Sequence, residues 1–211
     1  MSTRTRPHVV AHVAVTLDGA TTGFTPHVGR FYELAGTWRE DVTLAGADTI
    51  LAQEPALRAA PRAGPRPDGP LLAVVDGRGR VREWAALREA GHWSDVVALR
   101  AGGTPPRPPP DVAEIVVGPE RVDLTAALAA LGERRGAEVV RVDSGGTLIG
   151  ALLDAHLLDE VSLLVHPCTA EGPQRRWHGK ARVRDGTLRL TGCDALDDGL
   201  VWLRYEVSDG R

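Results

Sequence analysis

Asp143, Ser144, Gly145, Gly146 and Thr147 place an acid, two hydroxyls and paired glycines between a β-rich run, Val139–Val142, and a helix-spaced apolar segment, Thr147–His156. A helix that starts there offers unpaired N–H groups and a positive dipole end, which suits a diphosphate, and glycine lets it approach the backbone. Asp143, at the carboxyl end of the strand, would face whatever ligand lies in the crevice. The same residues also suit an ordinary strand-to-helix turn capped by Ser144 or Thr147. Upstream, alternation along His8–Thr16 puts His12, Ala14 and Thr16 on one side of a strand, and Asp18-Gly19 follows at its end. A lone strand histidine is more often a core residue than a catalyst, and Asp-Gly is more often just a turn. Gly77-Arg78-Gly79-Arg80 lacks the third glycine of a Rossmann fingerprint, position 82 being Arg82.

The spacing of apolar residues and breakers predicts the elements that must hold these groups. The strand His8–Thr16 is followed by a helix over Gly29–Arg39 and an extended stretch over Asp41–Ala45. Proline and glycine mark loops at Ala60–Pro70 and Ala101–Pro110, with short strands at Leu71–Val75, Val96–Leu99 and Glu114–Val117. A helix over Asp123–Arg134, with its acid in the first turn, precedes the strand Val139–Val142, the helix Thr147–His156 and the strand Val161–Val165. Strands over Ala181–Leu190 and Leu200–Val207, separated by Gly192 and Asp197-Asp198-Gly199, suggest antiparallel closure near the C-terminus. Trp177-His178 reads as surface structure.

With 211 residues and no marked shift of composition, one domain over 1–211 is expected. A net charge of −3 gives no basic excess for nucleic acid. The N-terminal apolar stretch is too short for a signal peptide or a membrane span, so a cytoplasmic protein is expected. Cys168 and Cys193 have neither metal-ligand nor disulfide-framework spacing, so no metal is expected.

In order along the chain, these motifs resemble the pyrimidine reductase family of riboflavin biosynthesis in its stand-alone form. Arg6-Pro7 and Thr16-Leu17-Asp18-Gly19 are similar to that family's opening, and Asp41 through Leu57 to its D-A-I-L-V-G-A-G-T-V-L-A-D-D-P-x-L. Asp143 to Leu148, Gly150 to Leu153 and Leu158 to Val161 are similar to E-G-G-G-T-L, G-A-L-L and V-D-E-L. The resemblance implies a dihydrofolate-reductase-like α/β fold: a mixed, mostly parallel central sheet flanked by helices, with antiparallel strands near the C-terminus. It implies a homodimer that reduces a ribosylamino-pyrimidine 5′-phosphate with NADPH, in preference to NADH. For the cofactor it implies Ala14, Thr49, Gln53, Ser144, Gly145, Gly146, Thr147, Leu148 and Ile149; Gly77-Arg78 departs from it, standing where the family often offers a serine, and the Arg78 guanidinium suits the 2′-phosphate of NADPH. For the substrate it implies Thr16, Leu57 and Arg39, with Asp143 the first candidate for the catalytic polar role and His12 and Asp18 after it. Asp143 stands where the family usually has Glu, Ser144 where it has glycine, and Gln53 where it has Asp. The loop Ala20–Val28 is short, and Arg39 lies only close to the position of an expected arginine. A relative recruited to a pterin-like or secondary-metabolite substrate, and a dinucleotide-binding protein without turnover, are the other readings.

Overall fold

The computed structural model describes residues 6–105 and 112–208; the end of the Ala101–Pro110 loop and the residues before Arg6 lie outside them. The described chain runs β1 (His8–Thr16), α1 (Val28–Ala35), β2 (Val42–Gly46), α2 (Ala47–Ala59), β3 (Leu71–Val75), α3 (Trp84–Arg88), β4 (Asp95–Arg100) and β5 (Ala113–Val116). It continues through α4 (Leu124–Arg135), β6 (Val139–Val142), α5 (Gly146–Asp154), β7 (Glu160–His166), β8 (Leu188–Ala195) and β9 (Val201–Val207). The strands are mostly parallel with an antiparallel pair at the C-terminal end, as the sequence predicts. The residues group into two compact units, one comprising Glu40–Val140 with the chain start through Pro7, the other His8–Arg39 with Arg141–Arg211.

In the first unit, β2, β3, β4 and β5 lie side by side and parallel. Their continuous apolar runs pack Leu72, Val74 and Val96 with Ile50, Trp84 and Leu87 of the helices. Helix α4 is bounded as its sequence requires: the Asp123 side chain accepts from Ala126 N–H at 3.0 Å, and Gly136 closes it in the left-handed region at φ 67°. Helix α2 was not among the expected elements. It carries Pro55 inside it, and its apolar residues do not keep to one face.

In the second unit, β7 pairs parallel with β1 and antiparallel with β9, and β8 pairs antiparallel with β9. The Arg141–Val142 end of β6 lies on the other side of β1. Helix α1 covers one face, where Leu34, Leu164 and Leu200 cluster with Phe31 and Trp202. Two expectations are corrected here. The helix predicted over Gly29–Arg39 starts at Val28 and ends at Ala35; a 3-10 turn over Gly36–Trp38 follows, and Arg39 has φ 47°. The strand predicted over Ala181–Leu190 begins only at Leu188, because Gly186, at φ 78°, turns the chain just before it. At a bulge between Leu190 and Gly192, a side chain at Gly192 would collide with the Arg204 guanidinium. That group lies 4.1 Å over the Trp202 ring and 2.7 Å from Asp194.

A polar chain runs through this core. His12, 1 % exposed, stacks on Phe31. Its Nε2 lies 3.0 Å from the Phe31 carbonyl, which can only accept, so Nε2 carries the proton. Its Nδ1 then accepts from Ser162 Oγ at 2.9 Å, and Ser162 Oγ accepts from Trp202 Nε1 at 2.7 Å. Burial lowers the His12 pKa from 6.5 to about 4, against the Phe31 carbonyl, which favours the proton. In the unfolded chain His12 would take up a proton as pH falls below about 6.5, while the folded protein resists this until about 4. Stability should therefore fall with pH across that window. Denaturant unfolding should show the wild type losing on the order of 2 kcal/mol more than His12→Gln between about pH 7 and pH 5. Equal losses would mean that His12 is not held neutral.

Candidate active site

The loop after β1 is tied down by its own side chains. Thr16, 1 % exposed, donates its hydroxyl proton to Asp18 Oδ1 at 2.6 Å and accepts from Ala20 N–H at 3.0 Å. Asp18 Oδ1 also accepts from Ala170 N–H at 3.2 Å. The Thr16 hydroxyl leads in holding the Asp18 carboxyl below its usual pKa. Thr16 and Asp18 thus fasten one loop to the next. His12 likewise has both ring nitrogens engaged in the core. On the same face of β1 as these two, Ala14 keeps partial exposure and presents only a methyl group.

Asp143 follows β6 directly, and its side chain is 26 % exposed. Arg141 points the same way, since residues two apart on a strand share a face, and its Nη1 donates to Asp143 Oδ2 at 3.2 Å. The Arg141 side chain is 5 % exposed. From α1, the Tyr32 hydroxyl reaches the same oxygen at 3.5 Å. The tyrosine as a whole is 51 % exposed. Partial desolvation of the phenol, then the Asp143 charge, pushes the Tyr32 pKa up to about 12 and keeps the phenol protonated.

Beyond Asp143 the two glycines divide the work. Gly145 is the residue before α5; it contributes no capping side chain, is exposed, and a Cβ built on it would meet nothing within 4 Å. Thr147 is exposed beside it, whereas Leu148 and Ile149 are buried and anchor the helix. At the start of α5 the exposed surface is that of Gly145 and Thr147. Gly146 is instead committed to packing. A Cβ there would overlap the Arg176 carbonyl oxygen and lie 2.9 Å from Gly179 Cα, and one on Gly150 would lie 2.6 Å from the His178 carbonyl oxygen. One face of α5 is therefore glycine so that the 176–181 loop can press against it. The same loop bonds back to the β1 loop through Thr21 N–H to the Arg175 carbonyl at 2.7 Å and Trp177 N–H to the Gly19 carbonyl at 3.3 Å. Trp177, expected at the surface, is 8 % exposed because this loop folds inward.

In the first unit, Thr49 and Gln53 stand one turn apart near the start of α2. Gly77 and Arg78 form the turn after β3, the strand beside β2, so all four residues sit at carboxyl ends of adjacent parallel strands. Asp76 braces this turn by accepting from Arg80 and Val81 N–H at 2.8 and 3.0 Å. Arg78 and Gln53 are exposed. Leu57 packs against the apolar core of this unit, and Arg39 is exposed in the second. The sequence reading missed Arg141 and Tyr32. Arg141 had a visible signal, a cation two residues before an acid in an apolar strand, whereas Tyr32 lies 111 residues from Asp143.

The model of the RibD C-terminal domain matches residues 7–202. The 2,5-diamino-6-ribosylamino-4(3H)-pyrimidinone 5′-phosphate reductase of Archaeoglobus fulgidus is 33% identical over 204 residues, covering 89% of this chain and 90% of that protein. Among solved structures, the RibD of Acinetobacter baumannii shares the fold at a TM-score of 0.70 and 21% identity. The likeness covers 97% of this chain, which spans 59% of that one. The dihydrofolate reductase of Enterococcus faecalis, solved with NADP(H), shares it at a TM-score of 0.53 and 10% identity, covering 96% of this chain and 97% of that one. With a family match over nearly its whole length and a relative this similar, the chain belongs to the RibD C-terminal domain family.

Proposed function

We propose that this oxidoreductase reduces a ribosylamino-pyrimidine 5′-phosphate to its ribitylamino product with NADPH, acting as a single reductase domain. The observation that carries the proposal is Asp143, a carboxylate held at a strand end two residues before the exposed Gly145, which starts α5 without a side-chain cap. The activity named for the Archaeoglobus fulgidus relative and the family match support the substrate class.

A bound nicotinamide dinucleotide would supply a hydride to the sugar carbon of the opened, imine form of the substrate, while the imine nitrogen gains a proton. The residues of this chain bind and orient. The α5 N-terminus at Gly145 to Ile149 takes the diphosphate, with Ser144 and Thr147 beside it, and Ala14 leaves room for a flat ring. Asp143 accepts a hydrogen bond from the substrate nitrogen and favours its protonated form. His12, Thr16 and Asp18 hold the loops in place.

Homodimer formation belongs to the same proposal and is supported by the uncovered face of β7, β9 and β8. On β7, Ser162, Leu164 and His166 are buried while Leu163 and Val165 are only half-buried. Leu163 pairs with Leu203, Val165 with Val201, and Leu190, 52 % exposed, with Tyr205. A second copy would cover this apolar surface. The free cysteines, Cys168 and Cys193, suit a reducing cytoplasm.

Asp143→Asn should lower kcat for the ribosylamino-pyrimidine phosphate by about a hundredfold or more while NADPH affinity, read by nicotinamide fluorescence, stays nearly constant. Loss of both together would move Asp143 to the cofactor. Gly145 has ordinary extended angles, φ −78° and ψ 174°, so Gly145→Val should melt like the wild type yet weaken NADPH by roughly tenfold or more. Gly146→Ala should cost roughly 1–3 kcal/mol of stability through the displaced loop. If Gly145→Val binds NADPH as the wild type does, the diphosphate does not lie there. Light scattering on the eluting protein should show that Leu190→Glu halves the mass; a wild type of single-copy mass would dismiss the dimer.

A further inference from the structure

Arg141 interrupts a strand that is otherwise valine, Val139-Val140-Arg141-Val142, and its side chain is 5 % exposed. Withdrawing a guanidinium from water is costly, and an apolar residue at that place would pack without the penalty. The structure shows what the cation does there. It donates to Asp143 Oδ2 at 3.2 Å from the same strand face, while the Tyr32 hydroxyl approaches that oxygen from α1 at 3.5 Å. Both contacts fall on one oxygen. A carboxylate gripped by two donors from two elements loses its freedom to rotate, and its other oxygen, Oδ1, is left to accept from a ligand. Helix α1 is itself pinned by the bond from His12 Nε2 to the Phe31 carbonyl, one residue before Tyr32, and by the stacking of Phe31 on His12. The second donor is thus held by the core of its own unit.

We propose that Arg141 and Tyr32 are positioning residues for the reduction, fixing the Asp143 carboxylate through Oδ2 so that Oδ1 faces the substrate as an acceptor for an N–H or O–H group. This rests on the reductase reading given above. The two residues act through Asp143, and Arg141 is the stronger of them, being charged, buried and closer.

A double-mutant cycle tests this, with Arg141→Met and Arg141→Lys each made in the wild type and in Asp143→Asn. Steady-state turnover of the ribosylamino-pyrimidine phosphate, NADPH affinity and thermal melting would be measured for each. Arg141→Met should lower kcat by roughly tenfold or more with NADPH affinity unchanged, Arg141→Lys should recover part of the loss, and neither should matter further once Asp143 is Asn. Tyr32→Phe, which removes one hydroxyl from a half-exposed ring, should fold normally and lower kcat by a few fold. It keeps the test decisive if Arg141→Met does not fold. Equal losses in the wild-type and Asp143→Asn backgrounds, or full activity in both Tyr32→Phe and Arg141→Met, would overturn the positioning role while the reductase reading stands. A wild type that binds NADPH but never turns over the pyrimidine would instead sink the reductase reading, and this one with it.

Discussion

In the second unit backbone packs directly on backbone between α5 at Gly146 and Gly150 and the loop around His178 and Gly179. Any side chain on those glycines would push the loop away. Because the loop also bonds to Gly19 and Thr21, the start of α5 and the loop after β1 are set by one contact. Asp143 and the exposed end of the helix inherit their placement from it. A glycine pair that looks like ligand chemistry is thus split into one residue for access and one for assembly. Gly145 can be changed without touching the fold, and Gly146 cannot.

Around that contact the polar groups are sorted by what satisfies them. His12 is consumed by Ser162 and Phe31, and Thr16 and Asp18 by each other and by backbone N–H groups. Asp18 is held at Oδ1 by the Thr16 hydroxyl and a backbone N–H, whereas Asp143 is held at Oδ2 by two side chains, Arg141 and Tyr32, and keeps a quarter of its side-chain surface. Local pairing, more than residue type, separates His12 and Thr16, buried and fully engaged, from the partly exposed carboxylates.

Sequence legibility followed the range of the forces involved. Strands β1, β3, β6 and β7 are short apolar runs between breakers, and each was found within a residue of its ends, because buried parallel strands write their environment directly into composition. Helix α2 was hidden because Pro55 interrupts it and no apolar stripe marks it. The bounds of β8 differ from the expected Ala181–Leu190 because the turn at Gly186 lies inside that alternating stretch. In the site, Asp143 and the glycine turn were legible as a local motif. The part played by His12 depends on Ser162, 150 residues away, and that of Tyr32 on Asp143, neither of which local spacing can show.

The bulge in β8 bears on how copies of this unit can meet. A regular outer strand offers an unbroken row of N–H and C=O groups to any other strand, and addition at such an edge can repeat without end. Here the register slips between Leu190 and Gly192, and the charged Arg189 and Asp194 flank the irregularity. Edge-to-edge growth is thereby discouraged, while the apolar side of the same strands stays available. Association through a face is self-limiting, since two copies hide the surface from a third.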